Sequence, residues 1–199
     1  MIKFLGFKLK IYPSVFSPEL YVSSRIFANY IMEAGGIESK NVLDMGCGTG
    51  LIGLSALTKK AHCRAIDINP EAVKSANENF KLNGFDSVAE VSNLFGNLAG
   101  TVKFDIIYFN PPYYNYEPRN DYERAFGGGK DYKVIREFLE QSKNRLNENG
   151  YICLITSSDM GIDVMLSILD EYKLGYNILH THKRFFETFY IIKAFFENT

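Results

Sequence analysis

From residue 41 onward, short apolar runs alternate with stretches of helical periodicity, and this alternation limits the folds open to the chain. NVLDM (41–45), HCRAID (62–67), SVAEV (87–91), FDIIYFN (104–110) and YICLITS (151–157) read as strands. Helices are predicted at 51–60, 131–147 and roughly 160–173. Another opens at Pro70, with Asn69 as its N-cap, and closes at Asn83-Gly84. Strands that alternate with helices imply a parallel sheet with helices on both faces. The run 104–110 is apolar enough for burial on both sides. Two last strands, 176–182 and 189–196, have only a short turn between them and should pair antiparallel, as a hairpin. Upstream, FKLKIY (7–12) alternates as a half-exposed strand ended by Pro13. Residues 18–34 read as a helix through Ile26, Phe27, Tyr30 and Ile31, closed by Gly35-Gly36. The organisation expected is an N-terminal strand-and-helix extension, 1–40, packed on a main domain, 41–199.

Length and composition narrow the function classes. The 199 residues suit one α/β domain, and 46% hydrophobic residues supply a sizeable core. The net charge of -1 argues against a broad nucleic-acid footprint. Lys3, Lys8, Lys10 and Arg25, set against Glu19, form one local basic candidate, or an ordinary solvated face. Cys47, Cys63 and Cys153 are odd in number and lack paired spacing, as free thiols in a reducing compartment would. Lysines interrupt the apolar residues of MIKFLGFKLK, unlike a secretory segment, and no run is long and apolar enough to span a bilayer. The expectation is a soluble, cytoplasmic protein.

DMGCGTG (44–50) follows the first strand of the alternation and opens a helix. Gly46, Gly48 and Gly50 let the backbone turn sharply and come close to a ligand. Asp67 ends the next strand, where a carboxylate can accept from both hydroxyls of a ribose. The pattern therefore points to a nucleoside. GTGLIG (48–53) also fits the dinucleotide fingerprint, which keeps a nicotinamide-dependent oxidoreductase as a rival. Against it, little chain remains for a substrate domain, and the turn begins already at Asp44 and Gly46. That form resembles the first motif of Rossmann-like S-adenosylmethionine-dependent methyltransferases. The resemblance implies that Asp44 lies near the cofactor's amino-acid end and that Asp67 holds the ribose. It also implies that SNLF (92–95) flanks the adenine, with Asn93 on its edge and Leu94 over its face.

FNPPYYN (109–115) ends the buried run 104–110 with an amide, two prolines and aromatic residues. The carboxyl end of such a strand is where ligands sit in these folds, which places Asn110 beside the cofactor. Asn110-Pro111-Pro112-Tyr113 resembles the N-P-P-Y motif of methyltransferases that act on planar nitrogens. The chemistry suits it. A planar nitrogen has a delocalised lone pair, so an enzyme must orient it and favour the charge developing on it. The Asn110 side-chain carbonyl can accept one N–H and the Pro111 carbonyl the other. Pro111 and Pro112 fix the backbone, and Tyr113 can stack on the flat group. Tyr114 and Tyr116 either line a substrate mouth or cover a loop.

Together with 123–155, where Ala125, Phe126, Gly128, Gly129 and Asp131 match a loop pattern, these motifs resemble HemK-type release-factor glutamine methyltransferases. KRFFETFYIIKAF (183–195) is similar to single-domain relatives of that group. The resemblance implies a Rossmann-like three-layer αβα methyltransferase fold, with a mostly parallel seven-stranded sheet and a C-terminal antiparallel hairpin. It implies S-adenosyl-L-methionine as cofactor and a protein glutamine amide as acceptor, in a release factor for example, with a small partner subunit in some relatives. The alternative acceptor is an exocyclic amine of a nucleobase in RNA or DNA, because SVFSPELYVSS (14–24) also resembles a segment of small-subunit rRNA guanine methyltransferases. A non-catalytic binding module is a further rival. Phe16 and Ser24 are candidates over the cofactor, or plain core residues. Gly127, Gly128 and Gly129 suggest mobility or close approach to a ligand in the loop 114–130, expected over the active site. Glu123 and Arg124 are either substrate contacts or a surface pair. His180 and His182 share a strand face without further ligands nearby, so no metal site is expected. Cys47 reads as a small filler of the turn.

Overall fold

The structure is a computed structural model that describes residues 1–15, 17 and 22–197. Phe16 and Glu19 lie outside the described residues. Seven strands make one mixed sheet, and the chain divides into two compact units, Met1–Gly100 and Thr101–Thr199.

The first unit opens with an antiparallel hairpin of β1 (Ile2–Phe4) and β2 (Phe7–Leu9), where the sequence predicts only a single strand over 7–12. Its turn, Leu5-Gly6, has φ of 50° and 85°, the sense that two-residue hairpins require. Gly6 between two alternating triplets was the available signal. Then follow α1 (Val22–Glu33), β3 (Asn41–Met45), α2 (Leu51–Thr58), β4 (His62–Asp67), α3 (Pro70–Leu82) and β5 (Ala89–Val91). The three later strands are parallel in the order β5-β4-β3, with Asn41 opposite His62 and Met45 opposite Ile66. Phe27, Leu43, Leu54, Ile66 and Phe80 are wholly buried between these layers. Asn69 caps α3 as expected, its side chain accepting from the Glu71 amide at 2.9 Å.

Side chains of α3 bond the backbone of Lys8 in β2 and of Lys10 just beyond it. The Lys10 amide donates to Asn79 Oδ1 at 2.7 Å, and Asn79 Nδ2 donates to the carbonyls of Lys10 and Thr49 at 3.1 and 2.9 Å. One turn later, the Lys8 amide donates to Asn83 Oδ1 at 3.0 Å while Asn83 Nδ2 donates to the Lys8 carbonyl at 2.8 Å. A primary amide carries both donor and acceptor, so it reproduces a peptide's two bonds. The i, i+4 spacing puts both asparagines on one helix face.

The second unit contains β6 (Phe104–Phe109), α4 (Lys133–Ser142), β7 (Leu146–Ser157), α5 (Ile162–Glu171), β8 (Leu174–Arg184) and β9 (Glu187–Phe196), with strand order β6-β7-β9-β8. β6 and β7 are parallel, whereas β9 is antiparallel to both neighbours, giving the expected hairpin. The helix expected to run to 147 stops at Ser142, and β7 starts at Leu146, before Gly150 rather than after it. The cause is an irregularity in register. Phe104 faces Leu146 but Ile106 faces Tyr151, so polar residues bulge out between them. Asn149 takes φ 61°, and a Cβ on Gly150 would lie 2.8 Å from the Phe104 carbonyl oxygen.

Asn79→Ala should lower stability by about 2–3 kcal/mol, because it strands the buried Thr49 carbonyl and removes the part-buried bond to the Lys10 amide, while the Lys10 carbonyl keeps the Ser75 hydroxyl. The more exposed Asn83→Ala should cost about 1 kcal/mol. Denaturant unfolding of both variants checks the ranking.

Candidate active site

In the first unit, two carboxylates organise the glycine turn between β3 and α2. Asp44 is 2% exposed, and its Oδ2 accepts from the Gly53 amide at 2.9 Å, which pins the start of α2. Burial pushes its pKa up to about 7, opposed by that amide and reinforced by the charge of Asp67. Asp67, half-buried, accepts from the Gly48 amide through Oδ2 and from the Asn69 amide through Oδ1, each at 2.9 Å. Burial raises its pKa too, and the amides of Asn69 and Gly48 hold it back. An ionised carboxylate has about four lone-pair sites, so Asp67 keeps acceptor capacity for ligand hydroxyls while it fixes the turn.

The glycines divide into two tasks. Gly46 and Gly48 have φ of 68° and 53°, and nothing lies within 4 Å of where a Cβ on Gly48 would be. The backbone at Gly48 is therefore open on the side of Asp67, whose carboxylate bonds its amide. Gly50, also left-handed at φ 78°, instead faces α3: a Cβ there would meet the Phe80 ring at 3.0 Å and Ala76 at 3.1 Å. Gly53, the last glycine of GTGLIG (48–53), meets Phe80 at 3.1 Å in the same way. Cys47 is buried among these groups, and burial raises its thiol pKa well above normal, so it is a thiol filling space.

After β5 the chain turns sharply. Asn93 is exposed, and Leu94 is half-buried with φ 46°, an uncommon conformation for a residue with a bulky side chain. Ser92, missed in the sequence, shapes this turn. Its amide donates to the Asp67 carbonyl at 2.9 Å, its hydroxyl donates to the Leu94 carbonyl at 2.6 Å, and its Oγ accepts from the Asn97 amide at 3.0 Å. The strained Leu94 and Asp67 are thus tied to one serine. Ser24, on α1, is buried.

In the second unit, β6 delivers the Asn110-Pro111-Pro112-Tyr113 stretch, with Pro111 buried and the other three half-buried. The loop behind it is folded back on it. The Tyr114 amide donates to the Phe126 carbonyl at 3.0 Å, the Gly128 amide to the Tyr114 carbonyl at 2.8 Å, and the Gly129 amide to the Tyr116 carbonyl at 3.1 Å. The triple glycine therefore serves close approach. A Cβ on Gly128 would sit 2.3 Å from the Pro112 carbonyl oxygen, and one on Gly127 would sit 2.7 Å from the Tyr116 ring. Asn115 Oδ1 accepts from the Asp131 amide at 2.8 Å, and Asp131 and Tyr132 both hold left-handed φ, 55° and 57°. Tyr113 and Tyr114 have ring centroids 5.2 Å apart, and the Tyr114 hydroxyl donates to Asp159 Oδ2 at 3.1 Å. Burial and that carboxylate raise the Tyr114 pKa, so it stays a neutral donor. Glu123 pairs with Arg119 at 2.7 Å, not with Arg124, which instead approaches Asp121 at 3.4 Å.

Among the described residues no group of three or more His, Cys, Asp or Glu could hold a metal ion, and no helix is long and apolar enough to cross a membrane. The rings of His180 and His182 stack on each other at 6.3 Å.

The model of the methyltransferase small domain matches residues 6–186. The chain belongs to that family. It is a methyltransferase. A Methanocaldococcus jannaschii protein with the provisional name protein N5-glutamine methyltransferase is 34% identical over 203 residues, covering 98% of both chains. A release factor glutamine methyltransferase of Fusobacterium nucleatum is 33% identical over 68% of this chain but only 42% of its own length. A ribosomal RNA small subunit methyltransferase C of Actinobacillus pleuropneumoniae is 29% identical over 73% of this chain and 41% of its own. Among solved structures, the T. thermophilus 16S rRNA N2 G1207 methyltransferase, in complex with AdoMet and guanosine, superposes with a TM-score of 0.77 at 20% identity. It covers 98% of this chain and 49% of the other, and shows the fold. The E. cuniculi Mtq2–Trm112 complex, described as methylating the eRF1 translation termination factor, has a TM-score of 0.68 at 26% identity. It covers 92% of this chain and 99% of that one. The seven-stranded sheet with its antiparallel end is thus the methyltransferase fold that the sequence implies.

Two outcomes follow for this methyltransferase. Gly128→Ala should cost about 100-fold in methyl transfer by displacing the Pro112 carbonyl, with cofactor affinity, measured calorimetrically, unchanged. Asp44 has a folded pKa above its unfolded value of 3.8, so it supports the fold at low pH and withdraws that support as pH rises towards about 7. The melting temperature of wild type minus that of Asp44→Asn should therefore fall between pH 4 and pH 8.

Proposed function

We propose that the protein transfers the methyl group of S-adenosylmethionine to a planar nitrogen, and that this nitrogen is the side-chain amide of a protein glutamine. The observation that carries the acceptor is the end-to-end match to the M. jannaschii protein, 98% of both lengths. The rRNA methyltransferase relative matches over only 41% of its length. In favour of the second reading, a nucleobase exocyclic amine, stands the higher TM-score of the rRNA enzyme, 0.77 against 0.68.

When bound, S-adenosylmethionine supplies a methyl group already activated by its sulfonium, which departs as a neutral thioether. The residues of the chain bind and orient. Asp67 accepts from the ribose hydroxyls, with Gly46 and Gly48 leaving the backbone open to the ligand. Asp44 holds the turn from below, and Gly50 seats α2 on α3. Asn93 and Leu94 border the adenine. Asn110 accepts one acceptor N–H through its side-chain carbonyl and the Pro111 carbonyl accepts the other, which turns the lone pair towards the methyl group. Pro112, held by its close approach to Gly128, keeps those acceptors in place, and Tyr113 lies against the flat amide. Transfer would leave positive charge on the nitrogen until its proton passes to water. Acceptors aimed at its N–H groups stabilise that charge.

A release factor is the protein substrate we favour, and a small partner subunit, present in the E. cuniculi complex, belongs to the same reading. Three free, buried cysteines suit a reducing compartment, and we place the protein in the cytoplasm.

Asn110→Ala should lower transfer of labelled methyl from S-adenosylmethionine to a purified release factor by at least about 100-fold, with cofactor affinity within a few-fold of wild type. A variant near wild-type rate would remove Asn110 from the mechanism. Label appearing in rRNA and not in protein would favour the second acceptor.

A further inference from the structure

The β8–β9 hairpin carries a surface that methyl transfer itself does not use. Every residue of β8 from Asn177 to Arg184 is exposed, and the two-residue tip is more exposed still, Phe185 at 93% and Phe186 at 104%. Ile178 and Leu179 add apolar area at 47% and 39% exposure. Phe185 takes φ 48°, where Gly or Asn would serve a turn with less strain. A bulky aromatic pair in the worst place for both solvation and backbone geometry is not explained by folding.

Charge accompanies the apolar tip. The segment 174–186 contains Lys183 and Arg184 together with His180 and His182 and no acid, on a chain whose net charge is -1. The Arg184 guanidinium lies 5.8 Å from the Phe185 ring centroid. The nearest acid in the ladder, Glu187, directly follows the tip opposite Arg184; it is half-buried, and burial raises its pKa while Arg184 holds it back.

The arm is continuous with the acceptor half of the site. Ser157, the last residue of β7, faces Phe189, so Phe186 overhangs the end of that strand by three residues, about 10 Å. The Ser158 amide donates to the Thr188 carbonyl at 2.7 Å, and the Thr188 amide donates to Ser158 Oγ at 3.0 Å. Asp159, next in the chain, accepts from Tyr114, which adjoins Tyr113. The overhanging tip is thus fixed to the segment that presents Asn110.

We propose that the β8–β9 hairpin tip, with Phe185 and Phe186 as anchors and Lys183 and Arg184 as their cationic rim, docks an acidic, partly apolar surface of the protein substrate away from its acceptor glutamine. Exposed apolar area rimmed by charge marks a protein interface, and the aromatic-with-Arg pairing is typical of interface anchors. A second copy of this chain fits poorly, since two basic tips repel. Strand addition along β8 is opposed by the register irregularity between Ile178 and His180 and by the edge charges. The near-neutral chain lacks the wider basic field of an RNA-binding face.

This proposal rests on the protein-acceptor reading, and the experiment separates the two. Steady-state methylation is measured on a purified release factor and on a synthetic peptide holding only its acceptor glutamine and immediate neighbours. The enzymes are wild type, Phe185→Ser with Phe186→Ser, and Lys183→Glu with Arg184→Glu. KM for the whole factor should rise about tenfold in each double variant, with kcat unchanged and with peptide methylation equal to wild type. A KM on the whole factor within twofold of wild type overturns the docking role while leaving the acceptor reading intact. Equal losses on factor and peptide overturn it as well, since they show a damaged site. Wild-type enzyme that methylates neither substrate removes the acceptor reading and this proposal together. Loss of rRNA methylation or rRNA binding in the variants, with protein kinetics unchanged, assigns the arm to RNA and overturns the proposal.

Discussion

Carboxylates that accept backbone amides are the constraint on which the first half of the molecule depends. Asp44 and Asp67 stand near the ends of adjacent parallel strands; Asp67 takes the Gly48 amide in the turn between β3 and α2, and Asp44 takes the Gly53 amide in the first turn of α2. A glycine-rich turn has a large conformational entropy and would collapse or wander without such ties. The carboxylates hold it, and in return the amides limit the cost of burying two negative charges. Ser92 extends the same scheme to the turn after β5, bonding the Asp67 carbonyl and the strained Leu94.

The second half is held by contact instead of charge. Its acceptor segment contains Pro111 and Pro112, which have no amide to donate. The chain solves this by bringing glycine backbone against it: Gly128 leaves no room for a Cβ beside the Pro112 carbonyl. Rigidity there comes from sterics and from the Tyr114–Phe126 and Gly128–Tyr114 bonds. Strain at Asp131 and Tyr132 is tolerated because Asn115 takes the Asp131 amide.

Much of this was legible in the sequence because local patterns and tertiary needs agree. Residues 41–45 and 62–67 begin and end as read, since apolar periodicity and flanking turn residues mark the same boundaries. Asn69 caps α3 because the Asn-Pro pair has few other uses. Illegible features depend on distant partners. Nothing near Asn79 indicates that it binds Lys10 and Thr49. Nothing near Gly128 says that its neighbour is a proline carbonyl, so mobility and close approach were equal readings until the contact was seen. The β7 irregularity escaped because Asn-Glu-Asn-Gly looks like a loop, and a bulge is a loop that never leaves its strand. Glu123 and Arg124 read as substrate contacts or a surface pair, and nothing in the sequence picks out Arg119, four residues before Glu123, as the partner.

The three cysteines have a use beyond filling space. All are buried, and for each the pKa is raised, so the folded molecule offers almost no thiolate to an electrophile. Cys47 and Cys63 belong to the first unit and Cys153 to the second. Alkylation can proceed only through opening, and at each position its rate measures how often that unit loosens. The chain thus carries an internal clock for the breathing of each half, readable by mass spectrometry without any label being engineered into it.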